Sequence, residues 1–173
     1  MKEIKSSKKT YFIKKILIKN FLIKCVCFLL LISFIGILVN TMNIKSSKEL
    51  VDKANESIKV MSPEQVKMAY DKGDVTLIDV RDIRELWKEG TIKGAIHIPR
   101  GMLEFWMDPQ SPYYQEKKIG DVKNIVLFCA LGFRSALATK SLKEMGFENV
   151  ANANGGFDSL KKIGLPVIAK EKK

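Results

Sequence analysis

The run Asn124-Ile125-Val126-Leu127-Phe128 is continuously apolar, the pattern of a strand covered on both faces. It leads at once into Cys129-Ala130-Leu131-Gly132-Phe133-Arg134, and then into an amphipathic stretch from Ser135 to Met145 that closes on Gly146. A hidden strand that turns through a short glycine-bearing loop into a helix points to an α/β fold, because helices on both faces of a parallel sheet are what hide such a strand.

The rest of the chain repeats the alternation. Ser62-Pro63-Glu64-Gln65 is a helix start with a capping residue, a first-turn proline and a capping-box glutamine, and the helix it opens is predicted to reach Asp71, with Gly73 ending it. Val75 to Val80 reads as a strand, Asp82 to Lys88 as a short helix stopping at Gly90, and Gly94 to Pro99 as a short strand. Gly101 to Met107 is predicted helical, and Asp108 to Tyr114 is rich in turn residues. Asn149-Val150-Ala151 reads as a last strand, followed by Gly155-Gly156 and a short helix from Phe157 to Ile163. Strands alternating with helices imply a mainly parallel sheet, right-handed crossovers and a site at the carboxyl ends of the strands.

Cys129 sits where that rule places a site. It is the only cysteine outside the stretch holding Cys25 and Cys27, so no disulfide within the domain is open to it. A free cysteine is often a small buried hydrophobe. Here, however, a loop of backbone N–H groups and a helix N-terminus would surround the sulfur and favour the thiolate, the reactive form. Gly132 removes a side chain from a tight cradle. Arg134 adds a fixed charge and a forked donor for an oxyanion. His97, the sole histidine, lies mid-strand and reads as a packing residue rather than a base. No cluster of cysteine, histidine and acids indicates a metal.

The N-terminus is a separate matter. The chain carries a net charge of +11, and +7 of it falls in residues 1–24, which hold eight lysines and one acid. That imbalance argues against a nucleic-acid-binding domain, since the excess lies outside the domain. From Cys25 to Val39 there is no charge. Fifteen residues make a helix of about 22 Å, shorter than a hydrocarbon core of about 30 Å. Extension back through Phe21 lengthens it at the expense of Lys24, which would snorkel. The resulting division is a basic cytoplasmic tail (1–24), a transmembrane or signal segment (25–44), a polar, partly helical linker (45–60), the domain (61–169) and a basic tail (170–173). The lysines would remain cytoplasmic and send the domain across as a single-pass, extracytoplasmic (periplasmic) protein. The alternative is secretion to the periplasm after signal cleavage, although no small-x-small site follows the run.

The segments Asp79-Val80-Arg81, Gly90-Thr91-Ile92-Lys93-Gly94-Ala95-Ile96-His97-Ile98-Pro99, Cys129-Ala130-Leu131-Gly132-Phe133-Arg134-Ser135 and Gly155-Gly156-Phe157 through Gly164-Leu165-Pro166-Val167 resemble, in order, the motifs of the rhodanese (thiosulfate sulfurtransferase) superfamily. The resemblance covers about residues 60–168. It implies a five-stranded parallel sheet flanked by helices, preceded here by an N-terminal hydrophobic helix. It also implies a persulfide intermediate on Cys129. The six-residue loop is the size that goes with sulfur transfer, whereas related phosphatases and arsenate reductases have one residue more. Thr91 and Leu160 depart from the family's frequent His and Trp, at positions read as packing or loop support.

The implied reaction has two steps. The Cys129 thiolate takes a sulfane sulfur from thiosulfate or a persulfide donor, and a thiol or cyanide acceptor, or a protein acceptor, then removes it. Ala130, Leu131, Gly132, Phe133 and Ser135 would supply loop contacts, and Arg134 would orient the donor. Leu131 and Phe133 would make the rim apolar. Asp79 and Arg81 read as a structural ion pair supporting the site, with Glu85 similar. Arg100, just past a strand end, would either face the site mouth or lie solvated on the surface. No cofactor is implied. The rival is a non-catalytic rhodanese-like binding or regulatory module.

Overall fold

The computed structural model describes residues 23–30, 44–120, 122 and 124–172. Residues 23–30 are helical, and residues 1–22 and 31–43 of the predicted tail and segment lie outside the described residues. Among the described residues, no helix is long and apolar enough to cross a membrane. The chain divides into residues 1–45 and a unit running from Ser46 to Lys173.

The second unit contains α1 (Ser47–Ser57), β1 (Lys59–Met61), α2 (Pro63–Asp71), β2 (Thr76–Asp79), α3 (Ile83–Glu89), β3 (Thr91–Ile92) and β4 (Ile96–His97). A 3₁₀ turn (Arg100–Met102) leads into α4 (Leu103–Met107), followed by α5 (Glu116–Ile119), β5 (Ile125–Phe128), α6 (Phe133–Glu144), β6 (Val150–Ala153), α7 (Gly156–Lys162) and β7 (Val167–Ile168). Five strands form a wholly parallel sheet in the order β1-β6-β5-β2-β4. The expected five-stranded parallel sheet is therefore present. A separate antiparallel pair joins β3 to β7, with Ile92 opposite Val167.

The strands alternate between two covered faces. Ile78, Ile125 and Leu127 pack with Leu103 and Met107 of α4 and Leu142 of α6. Leu77, Val126 and Phe128 face the other way, against Val66 of α2 and Phe157 and Leu160 of α7. All four residues of β5 are buried, and two strands lie on either side of it. That explains why it reads as an unbroken apolar run. The capping box at the start of α2 forms as the sequence indicates, with Ser62 and Gln65 exchanging hydrogen bonds.

The main departure is at residues 45–60. Part of this segment is helical as read, but the helix and the strand after it are packed into the domain and do not form a linker. Val51, Ala54 and Ile58 of this segment pack on Ala136 and Leu137 of α6, and β1 pairs in register with β6. Val51 and Ala54 share one face of α1 and Ile58 follows directly on its end, but a charged and polar remainder masks these positions. The helix after the cysteine loop also starts earlier than read, at Phe133 rather than Ser135.

Because α1 belongs to the fold, Ile58→Ala should lower unfolding free energy by about 2–4 kcal/mol. A loop residue would change it by no more than about 0.5 kcal/mol. Chemical denaturation of the full chain distinguishes the two outcomes.

Candidate active site

The site begins with a buried ion pair. Asp79 closes β2, and Arg81 follows two residues later. Both are fully buried. The Arg81 Nε and Nη2 donate to the Asp79 carboxylate at 3.0 and 2.8 Å. Arg81 also donates to the Gly90 carbonyl at 2.7 Å and to Glu89 at 3.2 Å. The Thr91 hydroxyl donates to Asp79 at 2.8 Å, which gives the threonine a supporting role. The Arg81 guanidinium lies 3.9 Å over the Phe157 ring, a contact in the range of a cation–π interaction. His97 donates from Nε2 to the Arg81 carbonyl at 2.9 Å, so this histidine supports the same network. The sequence reading of Asp79 and Arg81 as a structural pair matches their placement.

Phe157 links that network to the cysteine loop. Its backbone N–H donates to the Cys129 carbonyl at 2.7 Å, and the next amide, of Asp158, donates to the Ala130 carbonyl at 3.3 Å. Gly156, at φ +56°, lies against both carbonyls. A Cβ there would meet the Cys129 oxygen and come within 2.7 Å of the Ala130 oxygen. Both carbonyls are thereby engaged by the start of α7.

Cys129 leaves the end of β5 and is 1 % exposed. Its Sγ accepts the Gly132 N–H at 3.2 Å and the Ser135 hydroxyl at 3.6 Å. Gly132 adopts φ +92° as the residue before α6, a backbone angle that favours glycine. The helix N-terminus, with its partial positive charge, therefore abuts the sulfur. Asn152 of β6 steadies the loop from below through Nδ2, which donates to the Gly132 carbonyl at 3.2 Å. Its Oδ1 is buried without a protein partner. Sequence reading missed Asn152, although a polar residue inside a buried strand was the available signal.

Arg134 is engaged differently from the expectation of an open anion ligand. Its two terminal nitrogens donate to the Glu85 carboxylate of α3 at 2.6 and 2.8 Å. That contact raises the Arg134 value and holds Glu85 below the ordinary carboxylate range. Because the folded-state value of Glu85 is lowered, its contribution is complete at neutral pH. It is lost only as pH falls through that lowered value. Glu85 thus partners Arg134 of the loop and stands outside the Asp79–Arg81 pair. Leu131 and Phe133 are 54 % and 61 % exposed, and they form the apolar rim that the sequence indicates.

Arg100 does not face the site mouth. It pairs with Glu104 at 2.7 and 2.9 Å and reaches Ser141 at 3.1 Å. Ser141 lies about two turns along α6 from the loop. The carboxylate of Glu104, just ahead in α4, and the hydroxyl of Ser141 in α6 draw the guanidinium away.

Two outcomes follow. Arg81→Met leaves the Asp79 carboxylate buried without its cation and should lower stability by about 3–5 kcal/mol, measured by urea unfolding. Gly156→Ala should displace the Cys129 and Ala130 carbonyls and reduce the rate of Cys129 alkylation by up to about a hundredfold, read by peptide mass.

Comparison with known proteins places this geometry. The rhodanese-like domain profile matches residues 62–163. A sulfurtransferase of Allochromatium vinosum is 30 % identical over 101 residues, 58 % of this chain and 85 % of that protein. The chloroplastic thiosulfate sulfurtransferase 16 of Arabidopsis thaliana is 32 % identical over 119 residues, 66 % of this chain and 98 % of that protein. A solved structure from Rhodopseudomonas palustris, described as a protein of unknown function and possible tyrosine phosphatase, is 39 % identical with a TM-score of 0.69. The match covers 73 % of this chain and 97 % of that one. In longer relatives the matched region is only a part, half of one curated protein and 30 % of another. On the strength of the matched region and the order of its motifs, the chain belongs to the rhodanese-like domain family.

Proposed function

We propose that the protein is a sulfurtransferase that carries a sulfane sulfur as a persulfide on Cys129. The family match and the sulfurtransferase names of its relatives support the reaction class. One observation carries the assignment to Cys129. Its Sγ stands at the carboxyl end of the central strand, against the first turn of α6, and accepts hydrogen bonds from Gly132 and Ser135. Donors in those positions suit a negatively charged sulfur, first on the cysteine and then on the outer atom of the persulfide.

In the first half-reaction the Cys129 thiolate attacks the outer sulfur of a donor such as thiosulfate. The S–S bond of the donor breaks, and sulfite leaves with the electron pair. In the second, a thiol or cyanide attacks the outer sulfur of the persulfide, and Cys129 leaves as a thiolate. The six-residue loop favours this chemistry over phosphate transfer, the reading that the Rhodopseudomonas palustris description raises. Arg134 orients an anionic donor once it turns from Glu85. The lysines of residues 1–24 and the uncharged run that follows support an extracytoplasmic place for the domain, held by that segment.

Treatment of the full chain with thiosulfate should add one sulfur atom to the Cys129 peptide, and Cys129→Ser should remain unmodified. The loaded chain should yield thiocyanate with cyanide, and neither form should hydrolyse an aryl phosphate. Absence of both the adduct and thiocyanate would overturn the assignment.

A further inference from the structure

The cysteine loop has a neighbour that the sulfur-transfer reading does not use. A groove of about 470 Å³ lies between α1 and α6, walled by Ser47 and Val51 on one side and Phe133 and Leu137 on the other. That volume is in the range of small-ligand sites, about 300–1,000 Å³.

The charges around the groove are already matched. Lys48 and Asp52, which line it from α1, hold each other at 2.6 Å. Arg134, at its loop end, is held by Glu85 at 2.6 Å. Among the described lining residues each charged side chain already has a partner, and the surface left between them, from Val51, Phe133 and Leu137, is apolar and favours an uncharged apolar group. Phe133 and Arg134 line the groove and also belong to the Cys129 loop. Phe133, an exposed residue of that loop, thus ties the groove to the segment that carries the reactive sulfur.

We propose that this groove receives the apolar body of an alkyl thiol, the acceptor of the sulfur, whose thiol group reaches the persulfide across Phe133. The proposal rests on the persulfide reading of Cys129. The acceptor thiol gives its proton to solvent, and its sulfur forms a bond to the outer sulfur of the persulfide. The S–S bond to Cys129 breaks, and its electron pair leaves with Cys129 as a thiolate. The acceptor departs as a persulfide, with no external oxidant or reductant consumed.

The test uses the full chain, loaded with sulfur and then discharged by straight-chain thiols from ethanethiol to hexanethiol. Loss of sulfur from the Cys129 peptide is followed by mass. The second-order rate should rise about three- to fourfold for each methylene buried. In Ser47→Trp, an indole placed on the exposed first turn of α1 fills the groove, and the dependence on chain length should flatten. A flat series in the unaltered chain overturns the proposal, as does a rising series that Ser47→Trp leaves unchanged. A second series with N-alkyl iodoacetamides, which form an S–C bond to Cys129 and release iodide, probes the groove without any persulfide. A flat alkylation series also overturns the groove. A rising one in a chain that never acquires sulfur keeps the apolar groove and overturns the persulfide reading and the acceptor role built on it.

Discussion

The buried pair of Asp79 and Arg81 is the interaction on which the site depends. Two opposite charges without solvent are tolerable only when nearly every donor and acceptor is used. Here Thr91, Gly90 and Glu89 complete the set, and Phe157 covers the guanidinium face. The pair thereby fixes three separate pieces of chain at once: the end of β2, the turn after α3 and the start of α7. The last of these holds the cysteine loop by two main-chain hydrogen bonds. The geometry around the sulfur is thus set from behind, by residues that never touch it.

The clamp between Arg134 and Glu85 divides the labour differently. It joins α3 to the first turn of α6 across the loop mouth, and it neutralises the loop's one cation. The Gly132 N–H, the Ser135 hydroxyl and the N-terminus of α6 are what face the sulfur. The loop mouth therefore combines exposed apolar side chains with one cation already matched by an acid, above a sulfur that faces a hydrogen-bond donor and a helix N-terminus.

Much of this was legible in the sequence. The run from Asn124 to Phe128, the glycine-bearing loop and the capped start at Ser62 each carry local signals strong enough to place a strand, a turn and a helix. Cys129, Gly132 and Arg134 could be singled out because loop and helix follow the strand without interruption. Other features were hidden for physical reasons. Val51, Ala54 and Ile58 stand in a charged segment, so composition reads as linker while packing makes it part of the domain. The partners of Arg100 and Arg134 are carboxylates 4 and 49 residues away. Charge alone shows that an arginine wants a partner, and only the fold decides which acid is within reach. The two-residue strands β3 and β7 are too short for any periodicity to register, and each is a strand only through its pairing with the other.

The carbonyls of Cys129 and Ala130, engaged by the start of α7, have a wider meaning. They fix the loop through its main chain, so Leu131 and Phe133 are left exposed with little structural duty. Such a loop can change its outward side chains without disturbing the cradle beneath. Related chains could thus diverge in which molecules they recognise while keeping one sulfur chemistry, with variation confined to a few surface positions and the frame inherited intact.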